Sequence, residues 1–220
     1  MPAYYPVFLD IRGRNCLVFG GNDEAHRKIL YLIDCGASVT VFAQRITDAL
    51  KTLARDEKFD WVQRGYQFGD LKNTSLAIVA DTSDSGLNET ISEEARQRNV
   101  LLNVMDVTPL CTFIAPAITH RSDVTVAVST AGTSPALARR LRENMSDKNH
   151  CQCLRWADIG PILADVRTDI RARELAVTPD EWQECLTPDV LEMFESGDPE
   201  KARRMLTKAL ESKASSKSTI

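Results

Sequence analysis

A glycine-containing turn near the N-terminus has the residue types that hold a nucleotide phosphate. Residues 18–25 read VFGGNDEA and stand where an apolar run passes into a helical pattern. In the dinucleotide fingerprint GxGxxG or GxGxxA, Gly20 matches the first glycine and Ala25 the third small residue, while Asn22 replaces the middle glycine. Asn tolerates positive φ better than other side chains, so the turn can still form. The N-terminus of the following helix offers unpaired N–H groups to an anion.

The context of this turn favours a cofactor site over the alternative, an ordinary glycine turn before a helix. The turn follows the first predicted strand, and a second strand begins about 17 residues later, as a βαβ unit requires. The residues of this turn that we predict to contact a dinucleotide are Gly20, Gly21, Asn22, Asp23 and Glu24.

The end of the second predicted strand lacks the acidic residue that usually holds the ribose hydroxyls of NAD. Residues 42–45 read FAQR there. We therefore predict that Gln44 or backbone groups contact the ribose. Arg45 favours a 2′-phosphate, which leaves NADP open beside NAD.

Asp106 is the candidate general base. It follows the apolar run 100–105 (VLLNVM) and precedes the turn at 107–109 (VTP). A carboxylate at the carboxyl end of a parallel strand faces the crevice in which ligands bind. The alternative is a turn aspartate that bonds to its own backbone.

These residues must be positioned by alternating strands and helices. We predict strands at 15–20, 38–43, 60–63, 76–80 and 100–104, with helices at 23–35, 46–56 and 87–99 between them. Parallel strands need helical crossovers, so the pattern predicts a Rossmann-like, doubly wound α/β sheet. Two further apolar runs, 113–118 and 124–129, could pair with each other or with a second subunit. Helices are then predicted at 135–145, 155–174, 179–185, 188–195 and 198–212.

The predicted domains are a nucleotide-binding domain at 1–112, a dimerisation and substrate-loop segment at 113–149, a helical domain at 150–212 and a tail at 213–220. The 220 residues are 43% hydrophobic and 26% charged, which is typical of a globular protein. A net charge of −4 argues against bulk nucleic-acid binding. We see no secretory signal and no apolar stretch of the ~18 residues that cross a bilayer, so we expect a cytoplasmic protein without a membrane segment.

The six cysteines are expected to be thiols in a reducing cytosol. Cys151 and Cys153 lie beside His150, but this spacing lacks the four ligands of a structural zinc site. We predict no metal site.

A series of motifs in order resembles the siroheme synthase dehydrogenase/ferrochelatase family. The segment at 5–21 (YPVFLDIRGRNCLVFGG) is similar to the family's opening, and further similarities follow at residues 25–28, 36–37, 80–82, 88, 103–106 (NVMD), 113–117 (FIAPA) and 126–135 (VAVSTAGTSP). They cover roughly residues 3–150. Asn22 and Ala131 depart from the family's glycines. The resemblance implies NAD-dependent oxidation of precorrin-2 to sirohydrochlorin, and in some members iron insertion with Fe²⁺ as a substrate. It also implies a homodimer.

The resemblance assigns the essential aspartate to Asp106 and adds Thr82 and Asn103 to the cofactor-binding residues. The implied tetrapyrrole carries eight carboxylates, so its site needs cations, hydroxyls and N–H donors. The substrate-binding candidates are His120, Arg121, Ser129, Thr130, Thr133, Ser134 and Arg139. The alternatives are an N-cap at Thr133 or Ser134, a solvated arginine face on the helix, and a surface histidine at position 120.

Two other functions remain open. A chelatase without dehydrogenase activity would explain Asn22 and the missing acid after the second strand. A nucleotide-sensing regulatory module would need no catalytic carboxylate at position 106.

Overall fold

A computed structural model describes residues 4–147, 152 and 154–215, and within it the chain forms two compact units. Unit 1 comprises the described residues up to 115 together with 131–133, and unit 2 comprises the rest. The predicted segments 113–149 and 150–212 thus both lie mostly in unit 2.

Unit 1 contains a five-stranded parallel sheet. Its elements are β1 (Asn15–Phe19), α1 (Asp23–Asp34), β2 (Ser38–Phe42), α2 (Asp48–Arg55), β3 (Asp60–Val62), β4 (Leu76–Val79), α3 (Ser85–Arg98) and β5 (Leu101–Val104). The strand order is β3-β2-β1-β4-β5. The chain therefore runs outward from β1 to one edge and returns to pair β4 on the other side of β1. The doubly wound fold is confirmed, and its strand order reverses between β1 and β4.

Helices cover both faces of this sheet, which explains why its strands are continuous apolar runs. Val18 of β1 is fully buried and packs in one cluster with Ile29 of α1 and Leu50 of α2. Phe19 of β1 packs in a second cluster with Ile91 of α3. Successive side chains of a strand point to opposite faces, so neighbouring apolar residues of β1 serve two cores.

Unit 2 begins with an antiparallel hairpin and continues with helices. The hairpin strands are β6 (Ala117–Arg121) and β7 (Val124–Val128), and the helices are α4 (Pro135–Ser146), α5 (Gly160–Ala172), α6 (Pro179–Cys185), α7 (Pro188–Glu195) and α8 (Pro199–Ser215). Thr119 of β6 and Ser146 of α4 share a hydrogen bond of 2.6 Å between their hydroxyls. A separate apolar core joins the later helices through Ile159, Val166 and Leu206.

Two predicted elements differ from the structure. The apolar run 113–118 is not a strand throughout, because β6 begins only at Ala117. Pro116 has no N–H for a ladder, and the Phe113 N–H donates to the Leu102 carbonyl at 3.4 Å. The predicted helix 155–174 is divided into a 3₁₀ turn at Arg155–Ile159 and α5, which has a proline in its first turn.

A buried carboxylate ties the loop after β3 to α3. The side chain of Glu94 is 0% exposed and accepts from the Gly69 N–H at 3.0 Å and from Arg98 Nε at 2.5 Å. The Tyr66 hydroxyl also donates to it, and burial followed by this hydrogen bond raises the pKa of Tyr66 above its usual range. Three donors from two elements thus depend on one side chain.

We expect Glu94→Ala to lower the free energy of unfolding by about 2–4 kcal/mol, since three donors lose their acceptor. The measurement is urea denaturation followed by circular dichroism. Glu93→Ala is the control, because Glu93 is exposed. Equal midpoints for the two variants would show that the Glu94 hydrogen bonds contribute nothing to stability.

Candidate active site

An open cavity of about 350 Å³ lies at the carboxyl ends of β1, β2 and β4. It lies where the strand order reverses, which is the position at which open α/β sheets bind ligands. Its lining residues are Gly21, Asn22, Arg45, Ile46, Thr47 and Asp81. A larger hollow of about 590 Å³ lies between the end of α2 and the start of β3. Because that hollow is at the amino end of the strands, we assign the site to the smaller cavity.

Two glycines let the loops after three strands approach closely. Gly20 has φ 124°, and a Cβ there would lie 2.8 Å from the backbone nitrogen of Asp81. A Cβ at Gly21 would lie 2.3 Å from the carbonyl oxygen of Arg45. The Thr47 N–H also donates to the Gly21 carbonyl at 3.0 Å. The glycine turn therefore holds the loops after β2 and β4 in place by backbone contact.

Asn22, which stands in place of the fingerprint glycine, does not have the backbone conformation that we expected. Its φ is −84° and its ψ −177°, so this position does not use the left-handed region that the sequence interpretation invoked. That interpretation was wrong, since the positive φ of the turn falls on Gly20. Asn22 instead caps α1, because its Oδ1 accepts from the Ala25 N–H at 2.9 Å and its Nδ2 donates to the Ala80 carbonyl at 3.3 Å.

The first turn of α1 keeps two N–H donors. Those of Asp23 and Glu24 precede the first intrahelical bonds and have no acceptor within the described part of the chain. The carboxylate of Glu24 forms an ion pair with Arg27. The Glu24 charge is thereby balanced, and the backbone of this turn remains the part that suits an anion.

Gln44 and Arg45 follow β2 and are both exposed. The carbonyl of Gln44 accepts from the Gln63 amide at 3.5 Å, while the Gln44 side chain does not line the cavity. Arg45 does line it. Within the described ranges Arg45 forms no ion pair with a carboxylate, so its charge is available to a ligand.

Two of the predicted cofactor-binding residues form hydrogen bonds within the protein. Asn103 is only 8% exposed, and its amide donates to the Phe113 carbonyl at 3.2 Å. The Thr82 carbonyl accepts from the Asn88 amide at 3.1 Å. Neither Thr82 nor Asn103 lines the cavity.

Asp106 lies at the carboxyl end of β5 with an exposed side chain and φ 61°. The Met105 N–H donates to the Val79 carbonyl at 3.0 Å, which extends the pairing of β5 with β4 up to this residue. Asp106 does not form the hydrogen bonds of a turn aspartate, which was the alternative interpretation. In the part of the chain that the structure describes, the Asp106 carboxylate accepts no hydrogen bond, and Cys111 instead closes the turn, accepting from the Val104 N–H at 3.2 Å.

Lys28 of α1 is a residue that sequence reasoning missed. It is half-buried, and burial followed by the charge of Arg27 lowers its pKa, whereas the charge of Asp106 acts in the opposite direction. A cation therefore lies within the electrostatic reach of Asp106. The pair Arg27-Lys28 belonged to the family resemblance, which was the one signal that could have indicated it.

Arg121, a predicted substrate contact, is paired inside unit 2. Its Nη2 lies 2.5 Å from Asp158 Oδ2 and its Nε 3.1 Å from both carboxylate oxygens. The Ser122 hydroxyl donates to the same carboxylate at 3.0 Å. The guanidinium side chain is only 17% exposed. Its charge is therefore already balanced, and Arg121 connects the hairpin to the turn at Arg155–Ile159.

The other substrate candidates lie on the hairpin and at the start of α4. His120 Nδ1 is 2.9 Å from the Thr125 hydroxyl across the hairpin. The Ser134 N–H donates to Thr130 Oγ1 at 3.1 Å, and Ser134 caps α4 by accepting from the Leu137 N–H at 3.2 Å. The N-cap alternative thus holds for Ser134. Four candidates are exposed, and they are His120, Ser129, Thr133 and Arg139, the last paired with Glu143 at 2.8 Å.

Sequence reasoning also missed three residues that line the cavity: Ile46, Thr47 and Asp81. Asp81 follows a buried strand, as Asp106 does, which was a signal for it. Among residues 4–147, 152 and 154–215 no group of His, Cys, Asp or Glu could hold a metal ion, and no helix could cross a membrane. His150, Cys151 and Cys153 lie outside the described residues.

Comparisons with known proteins agree with this arrangement. Residues 7–117 match a family model described as "Putative NAD(P)-binding", and residues 121–147 match "Sirohaem biosynthesis protein central". The siroheme synthase of Pseudoalteromonas atlantica is 36% identical over 205 residues, which are 92% of this chain and 44% of that protein. The siroheme synthase of Nitrosococcus oceani is 36% identical over 210 residues, 94% of this chain and 44% of that protein.

A solved structure described as "SirC, precorrin-2 dehydrogenase" matches with a TM-score of 0.71 and 25% identity, covering 95% of this chain and all of that one. This chain belongs to the siroheme synthase N-terminal family. It spans less than half the length of the curated siroheme synthases that it matches. The match to the NAD(P)-binding family model supports a nicotinamide cofactor, and it covers the five-stranded sheet and the glycine turn.

We expect Gly21→Ala to weaken NADH binding by about tenfold or more and to destabilise unit 1 by about 1–3 kcal/mol, because its Cβ would overlap the Arg45 backbone. The measurements are NADH fluorescence titration and urea denaturation. Gly65→Ala is the matched control, since a Cβ at Gly65 meets nothing within 4 Å. Unchanged NADH binding by Gly21→Ala would contradict the assignment of this turn.

Arg121→Gln should lower Tm by about 2 °C or more, because Asp158 loses its bidentate partner. Differential scanning fluorimetry measures this shift. Arg167→Gln removes an exposed arginine from α5 and serves as the control. If both variants have the Tm of the wild type, the ion pair with Asp158 does not stabilise the protein.

Proposed function

We propose that this chain oxidises precorrin-2 to sirohydrochlorin with a nicotinamide cofactor. One observation carries the proposal: a cavity beside a glycine turn lies where the strand order reverses, and Asp106 follows a strand on the same edge of the sheet. The Asp106 carboxylate accepts no hydrogen bond from the residues that the structure describes. The similarity to a precorrin-2 dehydrogenase over 95% of the chain supports the substrate class.

The residues around the cavity fit a dinucleotide. The N–H groups of Asp23 and Glu24 at the start of α1 suit a pyrophosphate, and the bare backbone of Gly20 and Gly21 keeps the surrounding loops close. Arg45 lines the end at which a ribose would lie in the usual arrangement. NAD is the cofactor that the family resemblance implies, and when bound its nicotinamide accepts a hydride. The arginine leaves NADP open.

Asp106 is proposed as the general base. Its carboxylate is exposed and accepts no hydrogen bond from any described residue, so its lone pairs are available to a proton from the macrocycle. Lys28 supplies positive charge nearby. If the chain also inserts iron, with Fe²⁺ as the substrate, the same carboxylate can take the pyrrole N–H protons that metal entry displaces.

Binding of the polycarboxylate macrocycle is proposed for residues on the hairpin and α4. Arg139 is an exposed cation whose pair with Glu143 lies at the surface, and Ser129 and Thr133 are exposed hydroxyl residues. The Thr130 hydroxyl already donates to the Ser134 carbonyl at 3.0 Å, which makes Thr130 a weaker candidate. Arg121 is a weaker candidate than it was from the sequence, since Asp158 already balances it. His120 is exposed and stays a candidate contact.

A homodimer is also proposed, with the predicted segment 113–149 contributing to its interface. Each strand of the two-stranded hairpin is a sheet edge, and an edge presents N–H and C=O groups to which another chain can pair. Val124, Leu137 and Leu141 are large apolar residues that remain exposed on the hairpin and α4. Burial of such side chains against a second copy is favourable.

A chelatase without dehydrogenase activity is the second candidate. The observation that favours it is Asn22, whose side chain takes the Ala25 N–H that could otherwise serve a phosphate. Calorimetry with NAD separates the two functions, because the chelatase needs no dinucleotide.

We expect Asp106→Asn to lose about 10²–10⁴-fold in turnover, the usual contribution of a general base, while it still binds NADH. Asn tolerates the left-handed backbone of this position, so the loss should not come from strain. The assay is anaerobic, with precorrin-2 and NAD, and follows the sirohydrochlorin spectrum with and without Fe²⁺.

Asp34→Asn is the matched control, since Asp34 is exposed at the end of α1, away from the carboxyl edge of the sheet. Normal oxidation by Asp106→Asn would remove this residue from the mechanism. Binding of NADH without any turnover by the wild type would instead favour the regulatory-module alternative.

A further inference from the structure

The segment after β2 presents a cation at the cavity and no acid. Residues 43–45 are Ala, Gln and Arg, where an NAD-binding strand usually ends in Asp or Glu. Arg45 lines the cavity, while the neighbouring Gln44 is neutral. A carboxylate at this place would accept the two ribose hydroxyls and repel a phosphate, whereas an arginine does the reverse.

We infer that Arg45 makes this site accept the 2′-phosphate of NADP(H), so that the phosphorylated dinucleotide binds at least as tightly as NAD(H). The inference rests on the cofactor part of the proposed function and adds a specificity residue to it.

The backbone of Arg45 is fixed in position. Its carbonyl oxygen packs against Gly21, and the N–H of Thr47, two residues later, donates to the Gly21 carbonyl at 3.0 Å. Thr47 also caps α2 by accepting from the Leu50 N–H at 3.4 Å. The guanidinium itself remains exposed and forms no ion pair within the described residues. Because the backbone of Arg45 is already fixed, less conformational entropy is lost when a ligand binds there.

Two carboxylates near the cavity must be weighed against this cation. Asp81 lines the cavity, but its Oδ1 accepts from the Ser83 hydroxyl at 2.7 Å and from the Ser83 N–H at 3.2 Å. Asp48, in the first turn of α2, pairs with Lys51 at 2.8 Å. Arg45 is thus the cation of the lining set that has no partner, and Asp81 is the one carboxylate in that set.

The test compares NADPH and NADH binding to the full chain by fluorescence titration, without any tetrapyrrole. The wild type should bind NADPH at least as tightly as NADH. Arg45→Gln should weaken NADPH binding by about tenfold and NADH binding by less than about twofold, because only the charged contact to the 2′-phosphate is lost. Arg55→Gln, which removes an exposed arginine of α2, should leave both affinities unchanged.

A fragment competition gives a second readout. Adenosine 2′,5′-bisphosphate should displace bound NADPH from the wild type more effectively than 5′-AMP, and Arg45→Gln should abolish this difference. A higher salt concentration should weaken the binding of NADPH more than the binding of NADH, since salt screens a charged contact at an exposed group.

Three results would overturn the inference: NADPH binding weaker than NADH binding, an equal effect of Arg45→Gln on both dinucleotides, or no binding of either. The last result would also remove the dinucleotide from the proposed function. Binding of NADPH with the expected dependence on Arg45, but without oxidation of precorrin-2, would support the role of Arg45. It would contradict only the proposed reaction.

Discussion

Three loops of unit 1 reach one another only because positions 20 and 21 carry no side chains. A Cβ at Gly20 would lie 2.8 Å from the Asp81 nitrogen, and one at Gly21 would lie 2.3 Å from the Arg45 oxygen. Side chains at these positions would push the loops after β2 and β4 away from the turn. Since the cavity is the space that these contacts leave, its whole lining depends on the two glycines.

Local signals predicted most of the fold, and contacts between distant residues accounted for what they missed. The helices α6 and α7 have the bounds expected from the sequence, because each has a proline in its first turn and Thr178 caps α6. The role of Arg121 could not be predicted in this way. Its partner Asp158 is 37 residues away in sequence, so a basic residue in a loop looked available to substrate when it was already paired.

The same distinction applies to the site. Gly21, Asn22 and Arg45 were predicted because the fingerprint and the end of the second strand are short-range patterns. Asp81 joins them only because β4 pairs with β1, and the order of strands in a sheet is not written in any local pattern. The backbone of Asn22 also depended on a competing preference: its side chain caps α1, which holds it extended instead of left-handed.

The charges at this edge explain how one site could hold two anions. A dinucleotide and a polycarboxylate macrocycle would meet Asp23, Glu24, Asp81 and Asp106, which would repel both if none were balanced. Arg27 balances Glu24, and Ser83 bonds to Asp81. Lys28 lies within the reach of Asp106, and burial of this lysine strengthens their attraction because water screens it less. In the proposed function, positive charge on the neighbouring α1 face would favour the approach of an anionic ring to Asp106.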